Sequence, residues 1–211
     1  MNIANLLRPA APPTRSMNLA ISGERVVIRT PERRDMDQWI AARTRNRSYL
    51  QPFEPKWPDD ALTPTAFNRR LSRQQRDMRT GHSCPFVIIR LDNLQLIGAI
   101  NLNNIVRGAA QYASMGYWLD EQSQGQGYMT EAAMLALGHA FGPLKLHRVN
   151  AGCVPHNGRS KSLLTRLGFE EEGYAKRYLQ INGEWQDHLL FGLSIETWKT
   201  TLPGSSLNIP A

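Results

Sequence analysis

The chain has 211 residues, 41% of them hydrophobic and 20% charged, and 25 Lys and Arg against 18 Asp and Glu give a net charge of +7. That length suits a single domain with a substantial core, and ordinary hydrophobicity at this charge content excludes global disorder. No window approaches the roughly 18 consecutive apolar residues of a membrane-spanning helix, so no membrane partner is expected.

Residues 1–22 contain Pro9, Pro12 and Pro13 and no acid, which reads as a flexible leader. Two arginines without a clear amphipathic helix make an organelle-targeting segment the weaker alternative. A domain is expected over 23–198 and a flexible tail over 199–211. Glu24–Thr30 reads as a strand stopped by Pro31. Met36, Trp39 and Ile40 on one side predict a helix over Arg33–Asn46. A proline- and aromatic-rich loop, Tyr49–Pro58, separates it from a second helix over Thr63–Thr80. Cys84–Arg90, Leu94–Leu102 and Gln111–Leu119 read as a three-strand meander. Then follow a glycine-bearing turn, an amphipathic helix near Gly127–Phe141, a strand Arg148–Val154, a helix Gly158–Leu167 and a hairpin about Asn182-Gly183. The succession predicts one mixed α/β domain.

The positive charge is uneven. Residues 1–90 hold 16 basic and 8 acidic side chains, and 15 of the 16 are arginine. Arg43, Arg45 and Arg47 close the first helix, while Arg69, Arg73 and Arg76 recur at i, i+4, i+7 in the second, beside Arg70 and Arg79. Such a run is either a solvated helix face or a docking surface for RNA. With few aromatics among it, contact would be to backbone phosphate and salt-dependent. Cys84 and Cys153, each within an apolar run, read as buried thiols of a protein from the reducing cytoplasm. The five histidines, His82, His139, His147, His156 and His188, stand singly and read as structural. No metal is expected.

The most informative run is Trp118–Ala132, where a strand ends, Gly125 and Gly127 make a turn, and a helix begins. Backbone N–H groups and the positive end of a helix dipole there suit a phosphate, although such a turn is also a common plain connection. It lacks the lysine of a P-loop and the spacing of a dinucleotide fingerprint.

Gln124-Gly-Gln-Gly127-Tyr-Met129 resembles the acyl-CoA pyrophosphate loop of the GNAT N-acetyltransferases, with Met129 in place of a final small residue. Asn157-Gly-Arg-Ser160, Leu167-Gly-Phe169 and Glu172-Gly173 resemble the asparagine helix and following strand of the same superfamily. Over roughly Arg25–Trp198 the chain is similar to the ribosomal-protein N-terminal acetyltransferases, through Leu50-Gln-Pro-Phe-Glu-Pro55, Pro155-His-Asn157 and Gly183-x-Trp185-x-Asp187-His188 among others.

The resemblance implies a mostly antiparallel sheet flanked by helices, in which the parallel strands Gln111–Leu119 and Arg148–Val154 splay apart to admit the pantetheine arm of acetyl-CoA. Tyr117, Trp118 and Leu119 would pair with the pantetheine. Gln124, Gly125, Gln126, Gly127, Tyr128, Met129 and Thr130 would hold the pyrophosphate, and Asn157 would lie beside the arm. The implied reaction is direct acetyl transfer to the N-terminal α-amine of a protein, an alanine or serine terminus of a ribosomal protein. Alternatives are a small-molecule amine such as a polyamine or aminoglycoside, or a ribosome-associated factor with little chemistry. Leu164 stands where many relatives carry a tyrosine acid, so the resemblance gives that role to Ser160, which could otherwise cap its helix. Leu179 stands where one relative has its glutamate base. Glu54, Tyr174 and Tyr178 are the substitutes, with Glu54 also able to hold the α-ammonium. Phe53, Trp57, Tyr174 and Tyr178 are the expected acceptor-binding residues. Cys153 is either a covalent acyl carrier or a buried apolar residue. Monomer and homodimer both stay open.

Overall fold

The structure, a computed structural model, describes residues 18–201. Strands β1 (Ala20–Ser22) and β2 (Val26–Arg29) precede helices α1 (Met36–Arg45), α2 (Arg47–Leu50) and α3 (Pro64–Arg79). The meander β3 (Cys84–Arg90), β4 (Leu96–Val106) and β5 (Tyr112–Leu119) leads into α4 (Tyr128–Phe141). The chain closes with β6 (Arg148–Cys153), α5 (Gly158–Arg166), the hairpin β7 (Glu170–Ile181) and β8 (Glu184–Ser194), and α6 (Ile195–Thr201). All eight strands form one sheet in the order β1-β2-β3-β4-β5-β6-β8-β7, antiparallel except for β5 against β6.

Period-two alternation places a core on each face of the sheet. Phe86 and Ile88 point to the side covered by α4, with Ile97, Ile100, Leu135 and Leu137. Val87 and Ile89 point to the other, under α1 and α3, with Trp39, Phe67, Leu71 and Trp57. Helix α3 is amphipathic, with Ala66, Phe67, Leu71 and Met78 buried. Helix α4 is not: ten of its side chains are buried, because its run of alanines lets it lie close on the sheet while Leu135, Leu137 and Phe141 fill the spaces around it.

The expected elements all form, with shifted ends that have local causes. Gln111 takes a left-handed φ of 42° and its carbonyl caps the start of β6, so β5 begins one residue later. Leu94 is left-handed in the β3–β4 turn, and β4 runs on past Leu102 through an irregularity at Asn104. Asn182 and Gly183 both take positive φ, as a two-residue hairpin turn with right-handed strand twist demands. The predicted leader lies outside the described residues up to 17, but Ala20–Ser22 within it pairs with β2 as an edge strand. Helix α6 crosses the predicted boundary at 198, where Trp198 is buried with its ring 5.8 Å from that of Phe141.

Candidate active site

Strands β5 and β6 register only at Tyr112–Ser114 against Arg148–Asn150. Beyond that point, among the described residues, the edge of β5 facing β6 has no strand partner, while its other edge stays paired with β4 as far as Leu119. A cavity of about 1220 Å³ enters the split, walled by Met115–Leu119 on one side and Gly152–Val154 on the other. The expected splay is therefore present, at the expected strands. Unpaired backbone at a sheet gap offers an extended ligand the hydrogen bonds a strand would make.

One end of the cavity is the loop before α4. Gly125 and Gly127 take φ of 70° and 84°, and a Cβ at Gly125 would meet nothing within 4 Å, so the backbone there is open to close approach. Gly127 caps α4 without a side-chain acceptor, which leaves first-turn N–H groups and the positive helix end for an anion. Gln124, Gly125, Gly127, Tyr128, Met129 and Thr130 line the cavity. Met129 packs into the core, so the departure from the family's small residue leaves the loop open. Gln126 does not reach the cavity wall: its side chain donates to the Gln122 carbonyl at 3.2 Å, and its own carbonyl accepts from Arg25 Nη1 at 2.8 Å.

Both flanks of this loop are tied down by contacts that sequence spacing does not reveal. Arg25 Nε reaches Glu131 Oε2 at 3.0 Å, and Glu131 Oε1 accepts the Arg25 N–H at 2.8 Å, binding the first turn of α4 to the start of β2. On the other flank Asp120 is buried and accepts from Arg45 Nε at 2.8 Å and Asn46 Nδ2 at 3.1 Å. Asn46 Oδ1 in turn accepts the Glu121 N–H at 2.9 Å. Burial alone would raise the Asp120 carboxyl, but the hydrogen bonds from Arg45 and Asn46 hold it below the ordinary carboxylate range.

Midway along the cavity, the Tyr117 hydroxyl donates to Ser160 Oγ at 3.1 Å. Ser160 is not the cap of its helix. Asn157 Oδ1 accepts the Ser160 N–H at 3.1 Å and performs that duty, leaving the serine hydroxyl directed at Tyr117 and the cavity. Burial pushes the Tyr117 phenol up to about 12, partly opposed by the Ser160 contact, so it stays protonated through the neutral range. Cys153 lines the same stretch. Burial pushes its thiol up, against the pull of Lys161, which keeps it from being a ready thiolate.

The opposite end is walled by the segment Tyr49–Pro55. It leans on the Asn157 side of the cavity through Phe53 against His156, at 5.8 Å between ring centroids, and Tyr49 under the Arg159 guanidinium at 5.8 Å. Glu54 lines this end but is engaged. It forms a two-pronged ion pair with buried Arg43, one contact at 2.7 Å, and accepts from Trp57 Nε1 at 2.8 Å. Both oxygens of the carboxylate are thus occupied by charge-assisted or ring N–H donors. Trp57 is buried in the core beneath Arg43, whose guanidinium lies 4.0 Å from its ring, so it is no contact surface for an acceptor. Tyr174 and Tyr178 sit exposed on edge strand β7, outside the cavity lining, with the Tyr174 hydroxyl on Asp187. Of the four expected acceptor residues only Phe53 reaches the cavity. Sequence reasoning missed Arg70, Asn101 and His188, which do. Asn101 Oδ1 and Trp118 Nε1 are buried polar atoms without a hydrogen-bond partner among the described residues.

The arginine-rich segments divide. Arg43 is interior, Arg45 is held by Asp120, Arg69 pairs with Asp60 at 2.9 Å, and Arg70 turns into the cavity wall over Trp39. Arg47, Arg73, Arg76 and Arg79 remain on the exposed surface. Among the described residues, no group of three or more His, Cys, Asp or Glu could hold a metal ion, and no helix is long and apolar enough to cross a membrane.

Residues 25–170 match the acetyltransferase (GNAT) domain family. The chain is 35% identical to the [ribosomal protein uS5]-alanine N-acetyltransferase of Escherichia coli, over 84% of this chain and 92% of that protein. It is 34% identical to the probable N-acetyltransferase YjcK of Bacillus subtilis, over 82% and 96%. Among solved structures, Mycobacterium smegmatis RimJ in complex with CoA-disulfide aligns with a TM-score of 0.78 at 33% identity, over 81% of this chain and 82% of that one. The ribosomal-protein-S5-alanine acetyltransferase of Vibrio fischeri aligns at 0.80 and 32%, over 86% and 99%. With the split parallel pair, the glycine loop at the start of α4 and the asparagine-capped α5 all in place, the chain belongs to the GNAT acetyltransferase family and is an acetyltransferase.

Proposed function

We propose that the protein transfers the acetyl group of acetyl-CoA to the N-terminal α-amine of a protein, an alanine or serine terminus of a ribosomal protein, by direct attack within a ternary complex. The observation that supports this is one cavity lined by the glycine loop before α4, the unpaired edge of β5, the hydrogen-bonded Tyr117 and Ser160, and the segment Tyr49–Pro55. The names of the relatives supply the acceptor class.

The donor's pyrophosphate fits the N–H groups around Gly125–Thr130, and its pantetheine arm fits the free edge of Tyr117–Leu119, with Asn157 alongside. A backbone N–H near Leu119 meets the developing oxyanion. The amine nitrogen bonds to the carbonyl carbon as the carbon–sulfur bond breaks. One proton of that nitrogen ends on sulfur, delivered through the Ser160 hydroxyl, while Tyr117, protonated across the neutral range, donates to Ser160 and steadies its oxygen.

Labelled acetyl-CoA offered with peptides beginning in alanine or serine, and separately with polyamines and aminoglycosides, tests the acceptor class. Label appearing only on the small amines refutes it. Ser160→Ala is expected to lower kcat on the order of 10²-fold while the KM for acetyl-CoA changes little. Equal turnover removes Ser160 from the mechanism.

A further inference from the structure

No general base follows from the sequence pattern, and the Glu54 carboxylate is already engaged by Arg43 and Trp57. At neutral pH an α-amine, with a reference pKa of about 7.7 to 8.0, is mostly an ammonium and cannot attack. A group in the cavity that takes that proton raises the fraction of amine able to attack.

We infer that His188 is the base that deprotonates the acceptor amine, an assignment that rests on the amine-acetylation reading above. Four observations converge on it. His188 is 3% exposed and lines the cavity. It lies on β8 next to Leu189, which registers with Cys153 at the point where β6 has already left β5. Its Cδ2 is 3.9 Å from where a Cβ on Gly152 would sit, so the ring edge that carries Nε2 lies over the bare backbone of the cavity wall. Finally, Nδ1 is 3.0 Å from the Gln186 carbonyl oxygen. A carbonyl only accepts, so Nδ1 carries the hydrogen and the Nε2 lone pair is free.

Nε2 makes no hydrogen bond with a described residue, and the Tyr178 ring, edge-on at 5.7 Å, closes the other side of the imidazole. The titratable group in ring contact with it is the Tyr178 phenol, and Cys153 and Glu54 line the same cavity. None is bonded to it. Imidazole is the side chain whose protonation changes nearest neutral pH, which suits a base for an α-amine. The entering ammonium passes one proton to Nε2, giving an imidazolium that keeps its Nδ1 hydrogen on Gln186 and releases the other to water. The neutral amine then attacks, and its second proton leaves for sulfur by the Ser160 route.

The test uses the full chain with acetyl-CoA and an acetylatable peptide. His188→Gln and His188→Ala are expected to lose on the order of 10²-fold in kcat. CoA affinity, measured by calorimetry, should stay within about twofold, which also certifies folding. Added imidazole should restore turnover in His188→Ala several-fold and leave the parent unchanged, a response that a packing role does not produce. His188→Gln within about twofold of the parent in kcat, or a slowed His188→Ala that binds CoA but ignores imidazole, overturns the assignment. If the parent acetylates no peptide and only a small amine, the acceptor class falls while the same variants still judge His188 on that amine.

Discussion

Removing the Asp120 carboxylate tests whether the glycine loop is held ready for its ligand by the end of α1. The carboxylate takes Arg45 through two nitrogens, Asn46 Nδ2, and the Gln122 N–H at 3.3 Å, and its side chain is 2% exposed. Breaking a buried pair from one side costs about 3–5 kcal/mol. Arg45 is one-third exposed and regains water when released, so a loss of about 2 kcal/mol is expected for Asp120→Ala. The loop also loses its anchor, although the Ser123 N–H to Asp120 carbonyl and Gln124 N–H to Glu121 carbonyl bonds survive, at 2.9 and 3.2 Å. Ordering even one freed residue costs roughly 1–2 kcal/mol, which predicts a KM for acetyl-CoA raised about tenfold. Urea titration gives the first number and steady-state kinetics the second. The sign of the pH dependence is fixed by the depressed carboxyl. The parent's advantage over Asp120→Asn should be full above the ordinary carboxylate value, about 3.9, and vanish as pH falls through the lower folded value. An unchanged urea midpoint together with an unchanged KM in Asp120→Ala would refute the idea that this pair positions the loop.

Tyr117→Phe should lower kcat about tenfold and leave CoA affinity intact, as expected for a residue that acts through Ser160. Because burial lifts its phenol to about 12, the parent should lose stability as pH climbs from the ordinary tyrosine value near 10 through 12. Melting curves of Tyr117→Phe should decline less over that window, and superimposable curves would contradict a buried phenol. Cys153→Ala should turn over within about twofold of the parent, since its thiol is protonated and makes no covalent contribution; a loss beyond about 10²-fold, with CoA still bound, would instead favour an acyl-cysteine route.

What the sequence exposed was local and conformational. Gly125, Gly127 and the Asn182-Gly183 pair announce backbone that most residues avoid, and alternation in Cys84–Arg90 marks a strand whatever lies around it. The functional family was legible for the same reason, since its loop and asparagine motifs are contiguous. Contacts between distant segments were not legible. Arg45 and Asn46 meet Asp120 across 75 and 74 residues, and Tyr117 meets Ser160 across 43. Glu54 looked like a free acid because nothing in its neighbourhood shows that Arg43, on α1, turns inward rather than out. Tyr174 and Tyr178 looked like acceptor contacts because aromatic type is visible in sequence, whereas the side of the edge strand they occupy depends on the irregular pairing between Ala175 and Leu179.

The broken ladder between β5 and β6 has a mechanical side. It makes the sheet two plates, one of β1 to β5 and one of β6, β8 and β7, sutured at Tyr112–Ser114 and Arg148–Asn150. The angle between the plates is softer than any angle within them, and a ligand lying in the gap acts as a splint. Ala113 and Val149, both with no exposed surface, form the suture's packed underside. Close-packed side chains leave little room to shift, so the approach of the two plates is fixed at a seam that lies outside the cavity lining.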